Sequence, residues 1–405
     1  MKKNIKLIVI IASLALLLGG GYLLYQKFYG GASNLSVIEF PDVSFDYPSL
    51  ASDQGIVSDY LWMRTKQLMT GKDGDTLMIP SSYTIAGRLS YQEAQSSGEY
   101  DLSDQGLLLM MYVINGDRLN AMRLKDEVLS YYDFELESNE DLSSWIDSYL
   151  YYTASFGSSA DLTRISELSS ILFDEEGNMR TEQLSVAVYD QGGFFSTDDI
   201  GDGSLSTLEQ GTNRELTEFT SVEGIAIESV DLRLIRNLET NGFLPQGSFD
   251  RNLELVTGAK VSDSLPLYAY AYVDGIYIYS HDVAAAVDVC SSVATMRHLS
   301  EVGALPEDSV NWLRNQVINA GAVYSEYYYA QGTTDGEEAL DIYPDIMHIG
   351  LNTDDMDLYR SAAVMEGIRV ATYSNSPALS MIFRQEDGRF VFYADENLDV
   401  CLAVT

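Results

Sequence analysis

Three short acidic segments of this sequence combine residue types that can move protons. The first is Ser103-Asp104-Gln105-Gly106, set directly before the apolar run Leu107-Leu108-Leu109-Met110-Met111-Tyr112-Val113. A carboxyl at the mouth of a buried helix has its charged form disfavoured, so its pKa rises and it can donate a proton near neutrality. The plainer role for Asp104 is that of a helix cap. The second segment, Asn139-Glu140-Asp141-Leu142, opens a stretch running through Trp145 and Tyr149. Acids favour any helix start, because the helix dipole is positive there. The third is Glu228-Ser229-Val230-Asp231-Leu232-Arg233. Residues two apart on a helix do not face each other, so Asp231 and Arg233 each need another partner, and Asp231 becomes a candidate base.

Helical periodicity dominates the elements that must position these groups. It predicts helices near Ile56–Thr70, Gln105–Tyr131, Leu142–Phe156, Asp161–Phe173, Val230–Glu239, Arg251–Thr257, Val283–Glu301, Pro306–Ala320, Glu337–Gly350, Met356–Val370 and Asp395–Val404. Several pair across short turns, as at Phe156-Gly157-Ser158-Ser159 and Val302-Gly303-Ala304-Leu305. Periodicity alone gives a mainly α chain with a little β. The β signal is local: Leu267–Val273 alternates, meets Asp274-Gly275 and resumes as Ile276-Tyr277-Ile278-Tyr279, the pattern of a hairpin with a type I′ turn. Tyr268 and Tyr270 then share one face with Tyr272, either as cross-strand packing or as a wall for stacking sugar rings.

In order along the chain, these segments resemble glycoside hydrolase family 8. Ser103-Asp104-Gln105-Gly106 is similar to the family's Ser-Glu-Gly-Gln segment, which supplies the general acid, with Asp104 where the family has Glu. Asn139-Glu140-Asp141-Leu142 looks like the paired-acid segment that contacts the central sugar. Glu228–Arg233 and Val287–Glu301 look like the corresponding helices of Gram-positive members. Tyr393-Ala394-Asp395-Glu396-Asn397-Leu398 is similar to the Ser-Phe-Asp-Asn-Leu closing helix. The resemblance spans roughly residues 50–405. It implies an (α/α)6 toroid and inverting endo-hydrolysis of a polysaccharide, in which a protonated carboxyl serves the leaving oxygen and an ionised one activates water.

On that resemblance, Asp104 is the expected acid, and the base is Asp231 or lies in the Asp282–Asp288 region. Glu140, Asp141, Trp145 and Arg233 are the expected substrate-binding residues, joined by Tyr268 and Tyr270 where the hairpin face serves as a sugar-stacking wall. Aspartate reaches roughly 1–1.5 Å less far than glutamate, a displacement that can cost about a hundredfold in rate. The alternative is therefore a protein of the same fold that binds glycan, or scaffolds a polysaccharide synthase or export assembly, without turnover.

Of the 405 residues 46% are apolar, enough for one large core. Lys2, Lys3 and Lys6 precede the uncharged 19-residue run Leu7–Tyr25, and Lys27 follows it. That run is long enough to span a bilayer, and the lysine bias places the C-terminal part outside. A cleaved signal peptide is the competing reading, but no clean small-x-small cleavage site is present. The expected organisation is an anchor at 1–30, a linker at 31–50 and a toroid domain at 51–405, on the outer face of the cell membrane.

Residues 28–405 carry 20 Lys plus Arg against 61 Asp plus Glu, a formal charge of −41. Nucleic acid is excluded as a partner, since the polyanion would be repelled. The charge suits a solvated exported surface, or attraction to a cationic polymer such as partly deacetylated amino sugar. Cys290 and Cys401 are the only cysteines and both fall on helical patterns, so free buried thiols are expected. His281, His298 and His348 form no HxxxH spacing, which leaves zinc catalysis and a Ser-His-Asp hydrolase without their parts; His298 is expected in the core. No cofactor or metal is expected. The Asp198–Gly203 patch resembles a calcium loop only loosely, and a solvated turn is its simpler reading.

Overall fold

Short polar side chains set where the helices begin. In the computed structural model, Ser138 caps the helix Asn139–Phe156 by accepting from the Asp141 amide, and Asp231, Asp288 and Asp355 cap the helices Leu232–Thr240, Val289–Glu301 and Met356–Ile368 in the same way. Ser158 and Asp161 form a reciprocal capping box at the start of the helix Ser159–Leu172. The structure describes residues 35–38, 45–69, 76–89, 94–188, 218–281, 286–328, 332–333 and 336–405. The expected membrane span and the Asp198–Gly203 patch lie outside these residues. Among the described residues no helix is long and apolar enough to cross a membrane.

Thirteen α-helices are described: α1 (Tyr47–Ser52), α2 (Ser58–Met69), α3 (Leu102–Ile114), α4 (Arg118–Tyr131), α5 (Asn139–Phe156), α6 (Ser159–Leu172), α7 (Leu232–Thr240), α8 (Ser248–Gly258), α9 (Val289–Glu301), α10 (Glu307–Arg314), α11 (Tyr343–Asn352), α12 (Met356–Ile368) and α13 (Ala394–Ala403). The predicted helix over 105–131 is two helices. Gly116, at φ 66°, turns the chain between them, and Asp117 caps the second. The predicted helix at 283–301 begins only at Val289, because Ala286–Asp288 is a strand.

The helices form two concentric rings. α3, α5, α7, α9, α11 and α13 pack side by side in that order, and α13 returns to α3. Around them lie α4, α6, α8, α10, α12 and α2, most of them packed on the inner helix that precedes them in the chain. Closure is made by α13, which packs against α2, so the sixth pair is assembled from the two ends of the domain. This is an (α/α)6 toroid. Apolar faces fill the space between the rings: along α5, Trp145 stacks on Tyr149 at 5.9 Å and Tyr149 on Tyr152 at 6.0 Å.

Three small antiparallel sheets connect the pairs. One has the order β10 (Arg384–Glu386), β11 (Arg389–Tyr393), β1 (Ser82–Ala86), β2 (Gln95–Ser96), with Ser82 opposite Tyr393. Because β11 runs straight into α13, this pairing fixes the start of α13 near that of α3. A second has the order β3 (Glu182–Val188), β4 (Glu218–Ala226), β5 (Ala271–Val273), β6 (Ile276–Ile278). The third is β7 (Ala286–Asp288), β8 (Glu326–Tyr328), β9 (Gly332–Thr333) and leads into α9.

Candidate active site

All six inner helices line one cavity of about 270 Å³. They contribute Ser103 from α3, Glu140 and Asp147 from α5, Asp231 and Arg233 at the start of α7, Arg297, His298 and Glu301 from α9, Asp345, His348 and Asn352 from α11, and Asp395, Glu396 and Asp399 from α13. Glu228 and Asp341 enter from connections. Ten carboxyl groups therefore face two guanidiniums and two imidazoles. Spacings such as Asp345-His348-Asn352 and Asp395-Asp399 put these groups on one stripe of otherwise apolar helices.

Ion pairs occupy part of the cavity. Arg233 meets Asp147 at 2.8 Å and Glu301 at 3.4 Å. Arg297 reaches Asp345 at 2.7 Å, Asp399 at 2.6 Å and Glu301 at 3.5 Å, and His348 meets Asp399 at 3.1 Å. Burial alone would raise the pKa of Glu301 and Asp399, but the adjacent cations outweigh it and hold both well below the usual carboxylate range.

Other acids of the cavity lack such clamps. Glu140 and Asp395 are open to solvent yet surrounded by protein on most sides. For Glu140 the desolvation, with Asp141 nearby, pushes the pKa up to about 7. For Asp395 it is pushed up to about 6, with Glu396 and Asp399 adding like charge. Glu228 is also raised, by burial and then by Glu140. The same cavity thus presents carboxyls that hold a proton near neutrality and carboxylates that stay ionised.

The structure distributes the predicted residues unevenly. Glu140, Asp231 and Arg233 line the cavity. Asp104 lies in the first turn of α3, only 3% exposed and outside the cavity lining; burial and then the charge of Asp395 raise its pKa far above the ordinary value. Asp141 completes the α5 cap, accepting from the Ser138 hydroxyl at 2.7 Å. Trp145 is 0% exposed and Tyr268 1% exposed in the main core, so neither offers a face to a sugar; both correct the sequence expectation. Tyr270, 7% exposed, stacks on His281 at 4.4 Å and packs in the small core of the second sheet. The ring pairing buries Trp145, because the face of α5 that carries it is the one turned away from Glu140 and Asp147.

His298, expected in the core, instead faces the cavity between Asp231, at 3.8 Å, and Glu301, at 3.5 Å. Both cysteines are free, Cys401 buried and Cys290 half-buried.

No protein-family model matches the sequence, and no curated protein matches it closely. Solved structures do. An α-amylase from Clostridium perfringens superposes with a TM-score of 0.60 at 14% identity, covering 87% of this chain and 97% of that one. The chain shares the (α/α)6 toroid architecture of that structure. An unsaturated glucuronyl hydrolase from Streptococcus agalactiae gives a TM-score of 0.51 at 9% identity, over 92% of this chain and 97% of that one. Rex8A from Paenibacillus barcinonensis, complexed with xylose, gives 0.50 at 7% identity, over 88% and 94%. At these identities the likeness establishes the architecture, and the toroid that the sequence resemblance implied is the one present.

Proposed function

We propose that this chain is an extracellular, membrane-anchored glycoside hydrolase-like protein that cleaves a cell-surface or exopolysaccharide within the toroid cavity by inversion. The observation that carries this reading is one cavity lined both by Glu140, a carboxyl whose pKa is pushed up to about 7, and by Asp231, a second carboxyl at the start of another helix. Inverting hydrolysis asks for two carboxyls, one to give a proton and one to activate water. Glu140 is best placed as the proton donor, since it is accessible from the cavity and holds its proton near pH 7. Asp231 is assigned to the attacking water, and Arg233 to orienting its neighbours. Asp104 lies one layer behind, buried near the charge of Asp395.

The polysaccharide is the proposed substrate, and a synthase or export assembly the proposed company of the anchored protein. A net excess of carboxyls in the cavity favours a chain carrying ammonium groups, such as partly deacetylated glucosamine polymer, over a neutral β-1,4-glucan. Release of reducing ends from both polymers is the test. Turnover of either that is abolished by Glu140→Gln supports the reading, and equal turnover by parent and variant rejects it.

A second reading, glycan binding without turnover, is favoured by one observation: Glu301 is held by two guanidiniums and Asp399 by a guanidinium and an imidazole, and both are poor bases in that state. Binding of both polymers with no reducing-end release would select it.

A further inference from the structure

His298 and Glu301 take no part in the proton chemistry above, and they share a corner of the cavity with Asp231. His298 Nδ1 lies 3.5 Å from Glu301 Oε2 and 3.8 Å from Asp231 Oδ1, and one donor atom from each of the three residues falls within 4.8 Å of the other two. His298 Nδ1 and Glu301 Oε2 are both buried and face each other at 3.5 Å, longer than an ordinary hydrogen bond, with no other hydrogen-bond partner. The Glu301 side chain is only 5% exposed. Buried polar atoms are seldom left this way, and these two point at the same spot.

We propose that Asp231, His298 and Glu301 form a binding site for a divalent transition metal, with zinc as the best match. One imidazole nitrogen and two carboxylate oxygens are a donor set that zinc accepts, at bond lengths of about 2.0–2.2 Å that place neighbouring donors roughly 3–3.6 Å apart. The observed separations need only small side-chain rotations to reach this. Calcium and magnesium prefer all-oxygen sets and match less well.

The site is held in advance by the fold. His298 and Glu301 are three residues apart on α9 and share its inner face, while Asp231 is fixed as the cap of α7 through its bond to the Leu234 amide at 2.8 Å. The arginines do not compete for the same atom. Arg233 and Arg297 approach Glu301 through Oε1, and each has its own carboxylates in Asp147, Asp345 and Asp399. Two carboxylates balance the charge of a dication. They also attract a proton to the imidazole, so the proton is the rival occupant.

Three protein donors leave further coordination positions directed into the cavity, where water or a sugar hydroxyl would bind. In the metal-bound form Asp231 holds the ion and does not accept the proton of water. This inference does not depend on the proposed hydrolysis, because its readout is binding.

The full-length chain, stripped with a chelator, is titrated with zinc by calorimetry, with calcium and magnesium as controls. One zinc per chain is expected, with affinity at least tenfold weaker in His298→Ala and in Glu301→Gln, and no comparable heat from calcium or magnesium. Cobalt(II) is the second probe and needs no variant: coordination by the site produces visible absorption bands that zinc displaces. Zinc binding by folded His298→Ala equal to that of the parent overturns the proposal. So does a parent chain that gives neither zinc heat nor cobalt bands, which would leave His298 as a proton-binding residue only.

Discussion

Arg297 grips Asp399 with two nitrogens, Nη1 to Oδ2 at 2.6 Å and Nη2 to Oδ1 at 2.9 Å, across 102 positions of sequence. The pair ties α9 to the helix that closes the ring, and the same guanidinium holds Asp345 of α11. Arg297→Met therefore leaves the buried Asp399 and the half-buried Asp345 without their guanidinium. Destabilisation of about 3–5 kcal/mol is expected, read as a lower denaturation midpoint. A change within experimental error would mean that solvent reaches these acids freely.

As the proposed proton donor, Glu140 should set a pH limb. A donor with pKa near 7 loses its proton as pH rises through 7, so turnover should fall on the alkaline side with that midpoint. Glu140→Gln should lower kcat by about 10²–10⁴-fold with little effect on folding. The limb is measured from kcat/KM against pH, and an unchanged limb in the variant would assign it to Asp395.

Asp104 gives a stability signature with the same sign. Its folded pKa is raised, so the folded chain holds a proton that the unfolded chain releases, and stability is lost as pH rises from the ordinary aspartate range toward the folded value. Asp104→Asn removes this loss. The variant should melt higher than the parent at pH 8 and gain nothing at pH 4. Asp104→Glu, attractive from the sequence as a restoration of reach, should cost about 1–3 kcal/mol, because Asp104 is only 3% exposed and an added methylene in a packed interior forces its neighbours to shift.

A close approach between rings supplies a purely steric test. A methyl on Gly350 of α11 would come within 2.8 Å of the Tyr359 amide nitrogen of α12. Gly350→Ala should destabilise by about 1–3 kcal/mol through this overlap. Thermal melting checks it.

The anchor is tested by fractionation. Full-length protein should sediment with membranes, with its C-terminal domain open to protease added outside the cell, and removal of residues 1–30 should release it. A mature secreted form starting near residue 30 would replace the anchor with a signal peptide.

Local chemistry made parts of this fold legible from sequence. Asp274 and Gly275 have φ of 50° and 90°, as a type I′ turn requires, and that hairpin depends on two neighbouring residues only. The turns at Gly157 and Gly303 marked two of the helix pairs for the same reason. The cavity was legible in part. Glu140, Asp231 and Arg233 sit on helix starts flagged by their acids, whereas Glu301, Asp345 and Asp399 gain their meaning from Arg233 and Arg297 on other helices. The strands β3 and β4 were missed because Glu182–Val188 and Glu218–Ala226 pair across an intervening segment, which no short window contains. Trp145 misled because stacking aromatics and core aromatics look alike until the helix is rotated into its ring.

The sixth helix pair, split between α2 and α13, has a consequence for the order of biosynthesis. Four pairs, α3 with α4, α5 with α6, α7 with α8 and α11 with α12, can form as local hairpins while the chain is being made, but the circle stays open until Ala394–Ala403 has left the ribosome and inserted between α11 and α3. Until then the carboxyl groups of Asp345 and Asp104 border a gap. The Ser58 hydroxyl ends up 3.3 Å from the Thr405 hydroxyl, close enough for a short peptide bridge. A circular permutant joining Thr405 to Ser58 and opened between α4 and α5 would make the split pair contiguous, and would move the late step of assembly to a different seam of the ring.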